Sequence, residues 1–79
     1  MATRAFVLIE TSVGRTREVV AALRGVSNVS AVDAVTGPYD IIAVVEAADL
    51  NSVGEVVTSR VHTVPGIVRT VTCLAVSLP

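Results

Sequence analysis

Two stretches of the chain are apolar without a break, and a third is apolar with partial alternation; all three have strand length. Residues 5–9 (AFVLI) and 41–45 (IIAVV) are unbroken five-residue runs, and residues 67–76 (IVRTVTCLAV) partly alternate. A weaker strand pattern covers residues 29–35 (VSAVDAV). Between the first two strands, Val19, Val20 and Leu23 recur at helical spacing, with Ser12 placed as an N-cap and Gly25 as a stop. That spacing predicts a helix over 13–24. Leu50, Val53, Val57, Val61 and Val64 step by three or four after Asp49, a second N-cap, until Pro65-Gly66 ends the run. This predicts a helix over 50–62. Gly14 and Gly54 fall inside these helices, each at a cost of up to about 1 kcal/mol relative to alanine, which leaves the helix limits soft.

The order is β-α-β-β-α-β, and the halves roughly repeat: residues 6–10 answer 43–47 and Val19-Val20 answer Val56-Val57, an offset of 37 in both cases. This order is that of an α+β, ferredoxin-like split βαβ fold. Right-handed crossovers would place both helices on one face of a four-stranded antiparallel sheet and leave the other face bare. A half-exposed strand should alternate apolar and polar, yet residues 5–9 and 41–45 are apolar in both phases. Phe6 and Leu8 cannot share a face with Val7 and Ile9, so one set needs a cover from outside the chain. A second copy of the sheet, packed face to face as a twofold dimer, is the simplest one, and it makes Phe6 and Leu8 candidate interface residues.

Composition agrees with strands and self-association. Val, Ile and Thr supply 30 of the 79 residues, hydrophobic residues make up 52 % and charged residues 16 %. This is too apolar for disorder and amounts to one small domain with apolar surface to spare. The net charge is −1, from six arginines and seven acids, and the arginines are scattered. No basic stripe marks a nucleic-acid footprint, and Arg15 and Arg17 read as a solvated helix face. A single cysteine cannot form an intrachain disulfide, which points to a reducing, cytoplasmic home. No apolar run exceeds five residues, so no membrane span or signal peptide is expected.

Enzyme motifs are lacking. The chain has no glycine-rich phosphate loop, GxSxG elbow, HExxH or paired cysteines, so no metal and no cofactor are expected. His62, near the end of the second helix, reads as a structural or solvent-facing residue, and Cys73 as a small buried hydrophobe. The informative stretch is Thr36-Gly37-Pro38-Tyr39-Asp40 between the second and third strands. Pro38, Gly37 and Asp40 make a sound hairpin by themselves. What exceeds a hairpin is the chain's single tyrosine beside a carboxylate, at the mouth of an apolar strand. Thr70 and Thr72 add two hydroxyls in one phase of the last strand, which can orient a small polar ligand.

The element order, the Gly37-Pro38-Tyr39-Asp40 hairpin leading into residues 41–45, and the ending Val64-Pro65-Gly66-Ile67 into Arg69-Thr70-Val71-Thr72 resemble the effector-binding (RAM) domain of the Lrp/AsnC regulators over nearly the whole chain. Relatives of that kind usually carry a helix-turn-helix ahead of this domain, whereas here Met1 stands almost directly before the first strand, as expected of a stand-alone version. The resemblance implies a dimer of the dimeric α/β-barrel type, often built further into octamers or decamers, with a small amino-acid effector bound between subunits. Carried onto this chain, it implies that the backbone at Gly37 and the Tyr39 ring shape the pocket. Asp40 would pair with the α-ammonium, and Thr70 and Thr72 would hydrogen-bond the carboxylate end or a polar side chain. A zwitterion needs both signs satisfied, and Arg69, in the opposite phase, is expected to point elsewhere.

The leading expectation is a non-enzymatic regulatory module that acts on transcription through mixed assembly with full-length relatives, with no DNA binding of its own. One alternative is a small cofactor-free monooxygenase or isomerase of the dimeric α/β-barrel group, a reading weakened by an aromatic share of 3 %. The other is a purely structural oligomerisation domain.

Overall fold

The computed structural model describes residues 2–78. Strands β1 (Thr3–Thr11), β2 (Val29–Ala34), β3 (Ile41–Ala47) and β4 (Ile67–Leu74) alternate with helices α1 (Thr16–Arg24) and α2 (Leu50–Val56), and a π-helical turn, Val57–Val61, prolongs α2. The sheet runs β2-β3-β1-β4 with every neighbouring pair antiparallel, which is the ferredoxin-like arrangement expected from the element order. The two most apolar segments, β1 and β3, occupy the centre of the sheet, where both of their edges are hydrogen-bonded.

Alternation along the strands sorts the two faces. Ala5, Val7 and Ile9 of β1 and Ile41, Ala43 and Val45 of β3 are fully buried, packed with Val19 and Leu23 of α1 and with Val53, Val57 and Val61 of the α2 segment. The opposite phase carries Phe6 and Leu8, whose cross-strand partners are Val44 and Ile42 on one side and Cys73 and Val71 on the other. Phe6, Leu8, Ile42 and Val44 are half-buried at best, and no element of the chain lies over them. Cys73 therefore departs from its expectation as a buried hydrophobe. It is exposed, because it stands on this open face.

The internal repeat fails in its strands. An offset of 37 pairs Val7, fully buried under the helices, with Val44 on the open face; an even offset is needed to keep the phase of a pleated strand. In the helices the same offset matches Val20 with Val57, both buried.

Helix α1 starts later than its periodicity predicts, and Ser12 does not cap it. The N-cap is Arg15, with no side-chain cap bond. Ser12 N–H instead donates to the Gly66 carbonyl at 2.8 Å, and Arg15 N–H donates to the Ser12 carbonyl at 3.0 Å, across a turn in which Gly14 has φ +81°. The backbone of residues 12–15 is thus committed to docking on the β4 approach, and the helix begins only after it. Arg15 and Glu18 form an exposed ion pair at 2.8 Å in the first turn. Gly25 closes the helix as expected, donating to Ala22 and Leu23.

Asp49 caps α2 as its position predicts, accepting Ser52 N–H on Oδ1 at 2.8 Å. This bond stabilises the carboxylate and holds the Asp49 pKa below the ordinary aspartate value. The sign follows from linkage: with the folded value lowered, the cap contributes fully above about pH 4 and is lost as pH falls through the folded-state value. Nuclear magnetic resonance titration of the Asp49 carboxyl should show a depressed midpoint that returns to normal when Ser52 is replaced by proline, which has no N–H to donate.

Beyond Val56 the helix widens. His62 N–H bonds to the Val57 carbonyl at 2.8 Å, five residues back, where an α-helix would bond to Thr58. Val53, Val57 and Val61 still face the core at intervals of four, and the wide turn sets the direction in which His62 leaves it.

Candidate functional site

The β2–β3 connection closes when Val35 N–H donates to the Asp40 carbonyl at 2.9 Å, with Gly37 at φ +147°, a value that non-glycine residues rarely adopt. Asp40 then fastens this hairpin to β1. Its N–H donates to the Ile9 carbonyl at 2.9 Å, and its Oδ2 accepts Thr11 N–H at 2.8 Å and the Thr11 hydroxyl at 3.2 Å. Thr11 Oγ1 also pairs with Thr16 Oγ1 at 2.7 Å, which carries the network to the first turn of α1. A β1 end, a hairpin and a helix start are thus held by one half-buried carboxylate, and Oδ1 makes no hydrogen bond among the described residues. Asp40→Ala should lower stability by about 1.5–3 kcal/mol, the worth of hydrogen bonds to a charged group. Asp40→Asn, which keeps an oxygen acceptor, should recover most of that loss in a urea titration.

Tyr39, next in the chain, is half-buried. The Arg69 guanidinium lies 6.0 Å from the centre of its ring and 3.6 Å from a Glu10 carboxylate oxygen. Arg69 is therefore not pointed away from the hairpin, as its phase suggested. Its strand position opposite Glu10, together with a long side chain, brings it back over Tyr39.

Thr70 and Thr72 do share a face, and it is the helix side of the sheet. Thr70 is paired with Ile9 and Thr72 with Val7, both buried beneath the helices, whereas Arg69 belongs to the open side. The helices lie over the inner strands, so Thr72 remains exposed and Thr70 half-buried. Asp40 and Thr70 consequently border the same end of β1 from opposite sides: Asp40 is bonded to Ile9 and Thr11, and Thr70 stands across from Ile9 on β4. Tyr39 reaches this end at the open face, beside Arg69.

His62 enters the same neighbourhood, although spacing assigned it no partner. Its Nε2 lies 2.8 Å from Thr70 Oγ1. Together with Ile67, Val68 and Arg69 the pair lines an open cleft of about 290 Å³. Helical periodicity placed His62 at a helix end, but only the π turn determines that it faces β4. A larger open cleft, about 470 Å³, lies at the far end of the sheet along α2, among Asn28, Ala47, Ser52, Glu55 and Arg60, and contains none of the residues singled out from the sequence. Among the described residues, no group of three His, Cys, Asp or Glu side chains is placed to hold a metal ion, and no helix is long and apolar enough to cross a membrane.

Comparison with known proteins places this arrangement. No curated protein sequence matches the chain. Among solved structures, TTHA0845 from Thermus thermophilus superimposes with a TM-score of 0.90 at 35 % identity, covering 98 % of this chain and 96 % of that one. AsnC of E. coli has the same fold, with a TM-score of 0.90 at 22 % identity over 98 % of this chain and 52 % of AsnC. So does the transcriptional regulator NMB0573 from Neisseria meningitidis, solved as a complex with L-Met, with a TM-score of 0.84 at 19 % identity over 95 % of this chain and 50 % of that one. The family model of the Lrp/AsnC ligand binding domain matches residues 4–79, and the chain belongs to that family.

Proposed function

We propose that the chain is a regulatory module that binds a small amino-acid effector at an interface between its own copies, without catalysing a reaction. The observation that carries this reading is the placement of Asp40 and Thr70 on the two sides of one β1 end, in a chain that belongs to a ligand-binding family. A zwitterion needs an acceptor for its ammonium and donors for its carboxylate. Asp40 has Oδ1 to offer to the first, Thr70 and Thr72 offer hydroxyls to the second, and Gly37 and Tyr39 frame the hairpin side. Charge-assisted bonds of this kind gain strength where an interface excludes water. The complex of NMB0573 with L-Met supports an amino acid as the ligand class.

The open sheet face supplies the interface. Phe6, Leu8, Ile42 and Val44 form an apolar centre with Arg4 and Glu46 at one end and Glu10 and Arg69 at the other, a self-complementary pattern that suits a twofold copy of the same face. Further assembly into octamers or decamers would cover the Thr70–Thr72 row, which the helices leave exposed. Coupling to transcription would then run through mixed assembly with helix-turn-helix-bearing relatives rather than through direct contact with DNA, and location in the cytoplasm follows from that role. Effector and assembly are linked, so a ligand that prefers one assembly shifts the population toward it.

Isothermal calorimetry against the twenty L-amino acids, on wild type and on Asp40→Asn, tests the reading. The expected result is saturable heat with one amino acid or a few related ones, weakened at least tenfold in Asp40→Asn while the fold and assembly persist. No heat with any of them would overturn it.

A further inference from the structure

We infer that the cleft between the π turn and β4 is a carboxylate-binding subsite, with the His62 imidazole as its cation and Thr70 as its hydroxyl donor. This rests on the amino-acid reading for its ligand class, and it supplies what that reading lacks on the chain's own residues: a positive group for the effector's acidic end. Thr70 and Thr72 alone offer only neutral donors.

The geometry sets out the chemistry. His62 stands at the C-terminal end of the π turn, where exposed carbonyls favour a protonated ring. When the ring is protonated, Nε2–H donates to Thr70 Oγ1 across the 2.8 Å contact. That leaves the threonine hydroxyl hydrogen free to turn into the cleft and donate to an anion. A neutral ring with a bare Nε2 would take that hydrogen for itself. Protonation thus adds a charge and also frees a donor, and both changes favour a carboxylate in the cleft.

The surroundings select for an anion as well. No Asp or Glu lines the cleft; its walls are Ile67, Val68 and the stem of Arg69, and about 290 Å³ suits a small carboxylic acid. The charged groups on the elements framing it are few. Arg60, on the π turn, lines the other cleft along α2, and Arg69, on β4, is turned toward Glu10 and Tyr39. Glu10 is the nearest acid on β1, and it belongs to the opposite face of the sheet, paired with Arg69.

His62 is the only histidine in the chain, so its ring signals in a proton spectrum need no assignment. The experiment follows those signals through a pH titration of the intact protein, alone and with sodium propionate or propylamine. It then measures the calorimetric affinity of any binding amino acid at two pH values. Propionate is expected to move the His62 midpoint upward and propylamine to leave it in place, and the propionate effect should disappear in Thr70→Val. For an amino-acid ligand, affinity should be about five- to tenfold tighter near pH 5.5 than near pH 8, since a tenfold change corresponds to one pK unit of linkage. His62→Gln, which keeps a hydrogen-bonding partner for Thr70, should flatten that dependence.

The outcomes separate this inference from the reading beneath it. An amino acid that binds while the His62 midpoint ignores both it and propionate overturns the subsite and leaves the effector reading standing. A propionate response with no amino-acid binding supports a carboxylate site and sinks the amino-acid reading. Silence in both measurements overturns both.

Discussion

Replacing Gly66 with alanine is expected to destabilise the domain more than a substitution at any other glycine in the chain. Gly66 has φ +99°, and a Cβ built there falls 3.1 Å from the Arg15 Cβ and 3.1 Å from a Val19 methyl. A positive φ costs an L-residue about 1–2 kcal/mol. Forcing a methyl into a packed contact adds about 1–3 kcal/mol, because Val19 is fully buried and cannot retreat. The Ser12 N–H bond to the Gly66 carbonyl also ties this turn to the entrance of α1, so displacement of the turn would be felt at two elements. Gly14→Ala is the internal control: φ is +81° there, with nothing within 4 Å of the added carbon, so only the backbone cost applies. Urea unfolding of both variants should place Gly66→Ala well below Gly14→Ala. Equal losses would mean that α1 moves aside freely and that the contact between its first turn and the β4 approach is loose.

Leu8→Asp is expected to convert a dimer into a folded monomer. Leu8 is the middle of the open apolar face, flanked by Ile42 and Val71 across the strands, and it is only half-buried in the single chain. The aspartate can therefore be solvated in the monomer, whereas a second sheet laid over it would bury an unpaired carboxylate. A penalty of about 3–5 kcal/mol for an uncompensated buried charge is roughly a hundred- to several-thousandfold in the dimer dissociation constant. Phe6→Asp should act in the same direction. Val13→Asp, on a fully exposed turn, should leave the association unchanged. Analytical ultracentrifugation reads the assembly, and circular dichroism establishes that the monomer is folded. A Leu8→Asp protein that sediments as wild type would remove this face from the interface.

Features governed by local periodicity are legible in the sequence. The apolar runs 5–9 and 41–45 form the two central strands because only strands with both edges paired can use apolar residues in both phases. Asp49 and Gly25 bound their helices because a cap bond is decided within three residues. Other features depend on partners far along the chain. Ser12 resembles an N-cap, but its backbone is taken by Gly66, fifty-four positions on. The phase of Arg69 is legible too, yet phase fixes only the root of a side chain, and an arginine is long enough to reach over Tyr39 at 6.0 Å. For the candidate site, the hairpin and the two threonines are visible as motifs. What periodicity cannot show is that Asp40 is fastened to Thr11, or that His62 meets Thr70. The first is a contact between non-adjacent segments, and the second depends on a hydrogen-bond spacing that no side-chain pattern encodes.

The π turn makes chain length at one place as decisive as residue identity. A five-residue spacing accommodates one more residue than an α-helical turn would, so removal of a single residue from 57–61 would let the segment close as ordinary α-helix and carry everything after it about 100° around the axis. The imidazole would swing off the last strand even though every remaining residue, including histidine and both threonines, was retained. Insertions and deletions within this turn therefore rank with substitutions as a route by which related chains gain or lose the histidine–threonine pair, and an alignment that slides by one position there would score the pair as absent where it is merely displaced.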